Sequence, residues 1–276
     1  MPELPEVEFA RRCWERWADG KTVLAIQAQP SRVLRPRSPR ALQALRGATF
    51  HAFGRVGKNL LIRARGTKEW GLWSHLGMTG KWVRRKTGEE VPRFARVRLD
   101  LDDGRSLYYC DMRLFGRLQL VPEGRFEAVP ELKGLGPDPL TDGIDVGRFL
   151  EKLQATKVPV KVALLDQRIL AGVGNIQAVE ALYRAGIDPR RPARSLALAE
   201  VKKLAAGIRK SIEATLDDFE EEVGDDSDIA YVEEGAPNPF LVYDRAGERC
   251  RRCKKGTITR IVQAGRSTYF CPSCQK

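Results

Sequence analysis

The chain has 276 residues, with 48 lysines and arginines against 36 acids for a formal charge of +12, and 42% of it is apolar. That length supports one or two domains with a sizeable core, and the cationic excess points to a polyanion, nucleic acid ahead of an anionic membrane. No apolar run reaches bilayer length and acids stand where a secretory leader carries lysines, so neither a membrane span nor a signal peptide is expected, and the expected location is the cytoplasm.

The chain opens Met1-Pro2-Glu3-Leu4-Pro5-Glu6. Once Met1 is trimmed, Pro2 presents a secondary amine, and an α-amino group titrates near about 8. Such an amine attacks an aldehyde-like carbon to give a Schiff base, and Glu3 supplies a carboxyl for general acid catalysis. The alternative is a frayed, proline-punctuated end. The spacing over 7–18 predicts an amphipathic helix that pins this terminus, with Val7, Ala10, Trp14 and Trp17 on one face. Glu8, Arg11, Arg12, Glu15 and Arg16 then fall on the wet side.

From Thr22 to about Leu120 short β-rich runs follow: Val23–Ile26, Leu60–Ile62, Trp70–Trp73, Val97–Leu101 and Leu107–Tyr109. Asp102-Asp103-Gly104-Arg105 reads as a hairpin turn, and the whole as an antiparallel sandwich or flattened barrel. Three pieces stand out here. Lys58 enters an apolar strand after Gly57; His75-Leu76-Gly77-Met78-Thr79-Gly80 is a glycine-bracketed loop; Arg113 and Phe115 lie two apart in Asp111–Gly116. Taken singly, each has an ordinary structural reading.

Glu131–Gly147, rich in Gly, Pro and Asp, reads as a linker. Beyond it, helices are predicted over 145–154, 160–170, 176–185 and 198–216. The glycine turn Ala171-Gly172-Val173-Gly174-Asn175-Ile176 opens the third, leaving backbone N–H groups and the Asn175 amide for a phosphate, or serving as a plain helical hairpin. Eight acids in Asp217–Asp228 predict a mobile, solvated loop. Cys250-x2-Cys253 and Cys271-x2-Cys274, seventeen residues apart, have the spacing of a four-cysteine zinc ribbon. Disulfides are the alternative, disfavoured by compartment, and Cys13 and Cys110 are left as buried thiols. Between the knuckles a hairpin puts Arg266 at its tip among many cations, a shape suited to DNA backbone or minor groove.

Taken together, these motifs resemble formamidopyrimidine-DNA glycosylase and the wider family it shares with endonuclease VIII. The resemblance runs from Pro2-Glu3-Leu4-Pro5-Glu6-Val7-Glu8 through Gly57-Lys58, His75–Met78, Arg113 with Phe115-Gly116, Leu135-Gly136-Pro137 and Gly172–Ile176. It ends at Gly265-Arg266 and Cys271-Pro272-x-Cys274-Gln275. It implies an α+β fold: an N-terminal β-sandwich over 1–131, a linker over 132–147, a helix-two-turn-helix domain over 148–240 and a zinc finger over 241–276. It implies that Pro2 attacks C1′ and expels an oxidised purine, that Glu3 protonates the opened sugar, and that Lys58 and Arg266 assist β- then δ-elimination. His75, Lys161 and Asn175 are implied as DNA contacts, and Met78, Arg113 and Phe115 as the trio filling the gap left by the everted base. One structural Zn²⁺ per chain, duplex DNA carrying oxidised bases or abasic sites as partner, no membrane and a monomeric state complete the implied picture.

This chain departs from the family pattern twice. Phe94-Ala95-Arg96-Val97 stands where a histidine-rich strand is usual, and the acidic run stands where the family loop that closes over oxidised guanine is only mildly charged. The second departure predicts a weakened 8-oxoguanine preference with abasic-site cleavage intact. Two other readings remain: an endonuclease VIII-like enzyme for oxidised pyrimidines, against which Leu4 and Val7-Glu8 argue, and a catalytically silent zinc-dependent DNA binder.

Overall fold

Helix α1 (Leu4–Ala18) begins three residues before the apolar spacing predicts, with Glu3 as its N-cap. Pro5 sits in the first turn, where its fixed φ suits the helix and its missing N–H costs nothing. Val7, Ala10, Trp14 and Trp17 are buried as their spacing requires. Glu8 is not on the wet side: it is 6% exposed. The partner that draws it inward is Arg55, whose side chain is 0% exposed and whose Nε lies 3.0 Å from Glu8 Oε2.

The structure, a computed structural model, describes residues 2–222 and 238–276. Its described residues form two compact units, 2–133 with 219–222, and 134–218 with 238–276. Among the described residues the first holds nine strands: β1 (Val23–Ala28), β2 (Leu34–Arg35), β3 (Thr49–Val56), β4 (Asn59–Arg65), β5 (Glu69–His75), β6 (Lys81–Lys86), β7 (Ala95–Leu101), β8 (Arg105–Cys110) and β9 (Arg117–Pro122). They build a five-stranded sheet, β2-β9-β5-β4-β3, and a four-stranded sheet, β1-β7-β8-β6. Pairing is antiparallel except between β2 and β9, which run parallel. The predicted turn at Asp102–Arg105 joins β7 to β8. Strand β6 has no clear strand signal in sequence because cations interrupt its apolar alternation, Lys81-Trp82-Val83-Arg84-Arg85-Lys86.

Trp14 ties α1 to both sheets. Its ring meets Phe50 of β3 edge-on at 5.3 Å and Trp82 of β6 at 4.7 Å. Because β3 and β6 are edge strands of their sheets, the helix covers edges that would otherwise offer unpaired backbone. The Glu8–Arg55 pair is the polar part of this joint. Glu8→Ala leaves a guanidinium buried without its carboxylate, expected to cost about 3–5 kcal/mol. Urea unfolding of Glu8→Ala and of the Glu8→Ala, Arg55→Met double variant checks this. The double variant should recover most of the loss, and a single-variant cost near zero would show the pair to be idle.

In the second unit, α2 (Val146–Gln154) starts at Asp145, whose carboxylate caps Arg148 N–H at 3.0 Å. The helix predicted over 160–170 is only α3 (Val160–Ala163). Side chains past it bond the backbone and turn the chain away: Asp166 accepts from Arg168 N–H at 3.0 Å, and Gln167 donates to the carbonyls of Leu165 and Val173 at 3.0 and 2.9 Å. Helix α4 (Asn175–Ala185) ends at Gly186 in the left-handed region. Helix α5 (Leu198–Glu222) is locked to α4 by a buried polar clamp in which Gln177 bonds Ser211 at 2.6 Å and Thr215 at 3.0 Å.

The acidic run is not wholly a loop. Helix α5 continues through Glu222 because Ile212, Leu216 and Phe219 extend its apolar stripe. Within the first unit, Phe219 meets the Phe9 ring at 5.5 Å and Glu220 pairs with Arg12. The remainder of the run, from Val223 to Asp228, lies outside the described residues, as does the region predicted to close over a damaged base. Strands β10 (Thr259–Gln263) and β11 (Arg266–Phe270) form the predicted hairpin. Ala264 and Gly265 both take positive φ, +47° and +72°, as a type I′ turn demands.

Candidate catalytic terminus and nucleic-acid interface

Pro2 and Glu3 are buried at the start of α1. Glu3 N–H donates to Glu6 Oε2 at 2.9 Å, one half of a capping box. Glu6 is the acid the sequence reading leaves unassigned, although Glu3-x-x-Glu6 carries the capping-box spacing. Burial, and next the charge of Glu3, push the Glu6 carboxyl up to about 7. For Glu8 burial acts in the same upward direction, but hydrogen bonds from Arg55 and Arg12 and the charge of Arg11 outweigh it and hold that carboxyl low.

Arg55 also reaches forward. Its Nη1 donates to Gly57 O at 2.9 Å, so one buried guanidinium joins α1 to the turn that carries Lys58. Val56 pairs with Asn59, leaving Gly57 and Lys58 as a two-residue turn. Gly57 has φ +56° at the first central position, where a type II′ turn wants glycine. Asn59 fixes the far side, donating to Val56 O and accepting from Trp73 Nε1, both at 3.0 Å.

Across the ladder Asn59 faces His75, and His75 faces Arg117. Lys58, His75 and Arg117 therefore gather at one end of the five-stranded sheet. Burial first, then the charges of Lys58 and Arg117, pull His75 down to about 4. The ring is neutral at physiological pH, and because Nδ1 accepts from Gly77 N–H at 3.1 Å, Nε2 carries the proton and is a donor.

Glu6 and His75 bias stability in opposite directions. Glu6, raised from 4.5 to about 7, gives stability that is complete below its unfolded value and lost as pH rises. His75, lowered from 6.5 to about 4, gives stability that is complete above its unfolded value and lost as pH falls. The two slopes offset each other over pH 4.5–6.5. Glu6→Gln removes one of them, so its stability relative to wild type should climb with pH by up to about 1.4 kcal/mol per unit across that window. Urea unfolding midpoints through the range check this, and a difference independent of pH would contradict it.

Asp111 organises the loops that carry Met78, Arg113 and Phe115, a role that no local sequence pattern signals. It is fully buried. Oδ1 accepts from Thr79 Oγ1 at 2.5 Å and from Arg113 N–H at 3.1 Å, and Oδ2 accepts from Gly116 N–H at 2.8 Å. At Gly77 the loops meet backbone to backbone, where a Cβ would lie 2.4 Å from the Phe115 carbonyl carbon, and at Gly116 the backbone closes on a side chain of β8, where a Cβ would lie 1.8 Å from Tyr109 Oη. Held this way, Met78 and Phe115 stay exposed at 38% and 49%, and the Arg113 guanidinium lies 5.0 Å over the Phe115 ring.

In the second unit, Asn175 opens α4 after Gly174, an N-cap with no side chain to offer. Asn175 Nδ2 donates to Ser267 O at 2.9 Å, which holds the β10–β11 hairpin against the helix start and leaves the second amide hydrogen for another acceptor. Arg266 is exposed at the hairpin tip. Lys161, on the short α3, is buried at 0% exposure.

Cys250, Cys253, Cys271 and Cys274 bring their sulfurs within 4.8 Å of one another. Cys250–Cys274 and Cys253–Cys271 are each 3.7 Å apart, close to the edge of about 3.8 Å of a tetrahedron with Zn–S bonds of about 2.3 Å. The four cysteines thus fit one zinc ion. Outer contacts orient the sulfurs: Tyr183 Oη lies 3.3 Å from Cys250 Sγ, and Arg252 donates to Cys274 Sγ at 2.9 Å while its guanidinium covers the Tyr183 ring. Cys13 and Cys110 are buried, as expected of thiols outside the cluster.

Residues 1–118 match the formamidopyrimidine-DNA glycosylase N-terminal domain, 135–223 its H2TH domain, and 247–276 a zinc finger found in FPG and IleRS. The chain belongs to the formamidopyrimidine-DNA glycosylase family. A formamidopyrimidine-DNA glycosylase of Paracoccus denitrificans is 37% identical across the whole of both chains. Another from Desulfitobacterium hafniense is also 37% identical, again over all of both. Among solved structures, the MutM (Fpg) protein of Thermus thermophilus is 36% identical with a TM-score of 0.81, covering 99% of this chain and 98% of its own. The Lactococcus lactis Fpg in complex with DNA containing an abasic site is 28% identical with a TM-score of 0.84, covering 99% of each chain. The family fold is thus present in full: an N-terminal β-sandwich, an H2TH domain and a C-terminal four-cysteine zinc finger that binds a structural zinc ion.

Proposed function

We propose that this chain is a base-excision repair enzyme, a bifunctional DNA glycosylase that removes oxidised purines and cleaves the resulting abasic site. The observation that carries this reading is Pro2 held beside Glu3 at the buried start of α1, in a chain whose relatives are named formamidopyrimidine-DNA glycosylases. The partner is duplex DNA with an oxidised base or an abasic site. The working unit is one chain, and its compartment is the bacterial cytoplasm. Among the described residues no helix is long and apolar enough to cross a membrane.

The damaged nucleotide is first extruded, at a cost of a few kcal/mol that is smallest for weakened pairs. Met78 and Phe115 fill the gap and Arg113 meets the orphaned base edge. Lys58, His75, Asn175 and Arg266 donate to phosphates. His75 does so as a neutral Nε2–H, so DNA contact there adds no proton. The Pro2 nitrogen then bonds C1′ as the C1′–N bond to the base breaks; the base leaves with that electron pair and takes a proton from water. Glu3 takes up the proton the amine gives up and passes it to the ring oxygen, the sugar opens and an iminium forms. Loss of the acidified C2′ proton expels the 3′ phosphate, and a second elimination expels the 5′ phosphate. The zinc ion holds the ribbon in shape when bound, and every group in these steps comes from the chain.

Borohydride trapping on duplexes carrying 8-oxoguanine, an oxidised pyrimidine or an abasic site tests the reading. Adducts on 8-oxoguanine and abasic duplexes support it. Trapping of the pyrimidine lesion in preference to 8-oxoguanine would move the chain to the endonuclease VIII-like branch. No adduct alongside salt-sensitive binding would make it a silent binder.

A further inference from the structure

Met78, Arg113 and Phe115 do not account for the whole surface they stand on. Six large apolar side chains are exposed among the described residues of the first unit, and four of them, Met78 (38%), Phe94 (42%), Phe115 (49%) and Met112 (55%), share one end of the four-stranded sheet. The register places them there. Lys81 at the start of β6 and Ala95 at the start of β7 both pair with Cys110 at the end of β8. The residues just outside those positions, Gly80, Phe94 and Asp111, are therefore side by side, with neighbouring strands about 4.8 Å apart.

Phe94 is built into this position. Its φ is +62°, in the left-handed region that an aromatic residue rarely enters. Such a conformation persists only where its surroundings enforce it. Here the Phe94 carbonyl accepts from Asp111 N–H at 3.1 Å, Ala95 N–H donates to Pro92 O at 3.2 Å, and Arg96 Nε donates to Asp111 O at 3.1 Å. The residue that fixes the gap-filling loops through its carboxylate also fixes Phe94 through its backbone. The Arg93 guanidinium lies 5.2 Å over the Phe94 ring, close to the 5.0 Å of Arg113 over Phe115. An exposed ring capped by a guanidinium, on a chain of +12 charge, matches a base or deoxyribose face bordered by phosphate.

We propose that Phe94, with Arg93 over it, is a second stacking element that packs on the nucleotide next to the gap. This rests on the glycosylase reading and adds a contact to it. The ring supplies the apolar face and Arg93 a phosphate contact. The test uses the full chain with zinc bound and a duplex carrying tetrahydrofuran, a stable abasic analogue, with 2-aminopurine placed in turn at each position flanking the gap. Phe94→Ala keeps the backbone strain and removes the ring, while Phe94→Gly removes both. Both should bind about tenfold more weakly and lose the fluorescence change at one flanking position, and Phe94→Trp should stay within about threefold of wild type. Arg93→Ala should lower the slope of log affinity against log salt by about one, and the Phe94 variants should leave it unchanged.

Phe94→Ala or Phe94→Gly binding like wild type would overturn the proposal. So would a loss of affinity that leaves every fluorescence change intact, or one that Phe94→Trp shares. A wild-type chain that does not prefer the tetrahydrofuran duplex over intact duplex would defeat the glycosylase reading, and this proposal with it. Wild-type preference with unaffected Phe94 variants would defeat this proposal alone.

Discussion

A chain whose Pro2 nitrogen is acylated, by retained Met1 or an added residue, will form no borohydride-trapped adduct with an abasic duplex, and strand cleavage will fall by roughly 10,000-fold or more. That is the scale of loss when a covalent nucleophile is deleted from other enzymes. An amide nitrogen has no available lone pair, so neither the bond to C1′ nor the iminium that acidifies C2′ can form. Affinity for a tetrahydrofuran duplex should change only a few-fold, since the phosphate donors and gap-filling side chains are untouched. Mass spectrometry of the intact chain establishes which terminus is present. Trapping at wild-type yield by a chain shown to be blocked would remove Pro2 from the mechanism.

Zinc removal has the second large effect. The ribbon's apolar cluster is small: Val242, Cys250, Ile258, Tyr269 and Cys271 packed on Val179 and Tyr183 of α4. Two members of that cluster are themselves metal ligands, so the ion is the main cross-link, with an apparent binding free energy of about 10–16 kcal/mol in comparable peptides. Cys271→Ser, or chelation of the intact chain, should release the hairpin, break the Asn175–Ser267 bond and lose the placement of Arg266. Duplex affinity should fall at least about 100-fold in both cases, and in the chelated chain it should return when Zn²⁺ is restored. All five tryptophans, Trp14, Trp17, Trp70, Trp73 and Trp82, lie in the first unit. Tryptophan fluorescence should therefore stay constant while DNA binding is lost. A tryptophan signal that collapses with the metal, or affinity that survives its removal, would contradict this account.

What the sequence discloses depends on how far apart the interacting residues lie. The zinc ligands are legible because a knuckle needs only two cysteines three apart, twice. The α4 start and the hairpin turn are legible because glycine announces them locally. Glu8 is not: it reads as a solvated helix residue until Arg55, 47 positions away, is found beneath it. Asp111 sits in a motif whose arginine and phenylalanine attract notice, but its partner Thr79 is 32 residues off. Lys161 is named by the resemblance alone, and its burial on the short α3 has no local sequence signal. The end of α5 shows charge outvoted by packing, with Phe219 against Phe9 keeping an acidic stretch helical.

The three bonds to the Asp111 carboxylate have a thermodynamic consequence for opening the duplex. Loops that must order themselves as they enter DNA lose conformational entropy at that moment, about 1–2 kcal/mol for each backbone residue fixed. Here that loss has already been taken during folding, because Thr79, Arg113 and Gly116 hang on one buried side chain. If these loops insert as proposed, the protein meets DNA with a probe already shaped, and its contacts with the helix can be spent on unstacking bases rather than on ordering the loops. On that proposal intact pairs would resist the probe and weakened pairs would yield, so the anchoring at Asp111 would help to sort pairs by how firmly they are stacked.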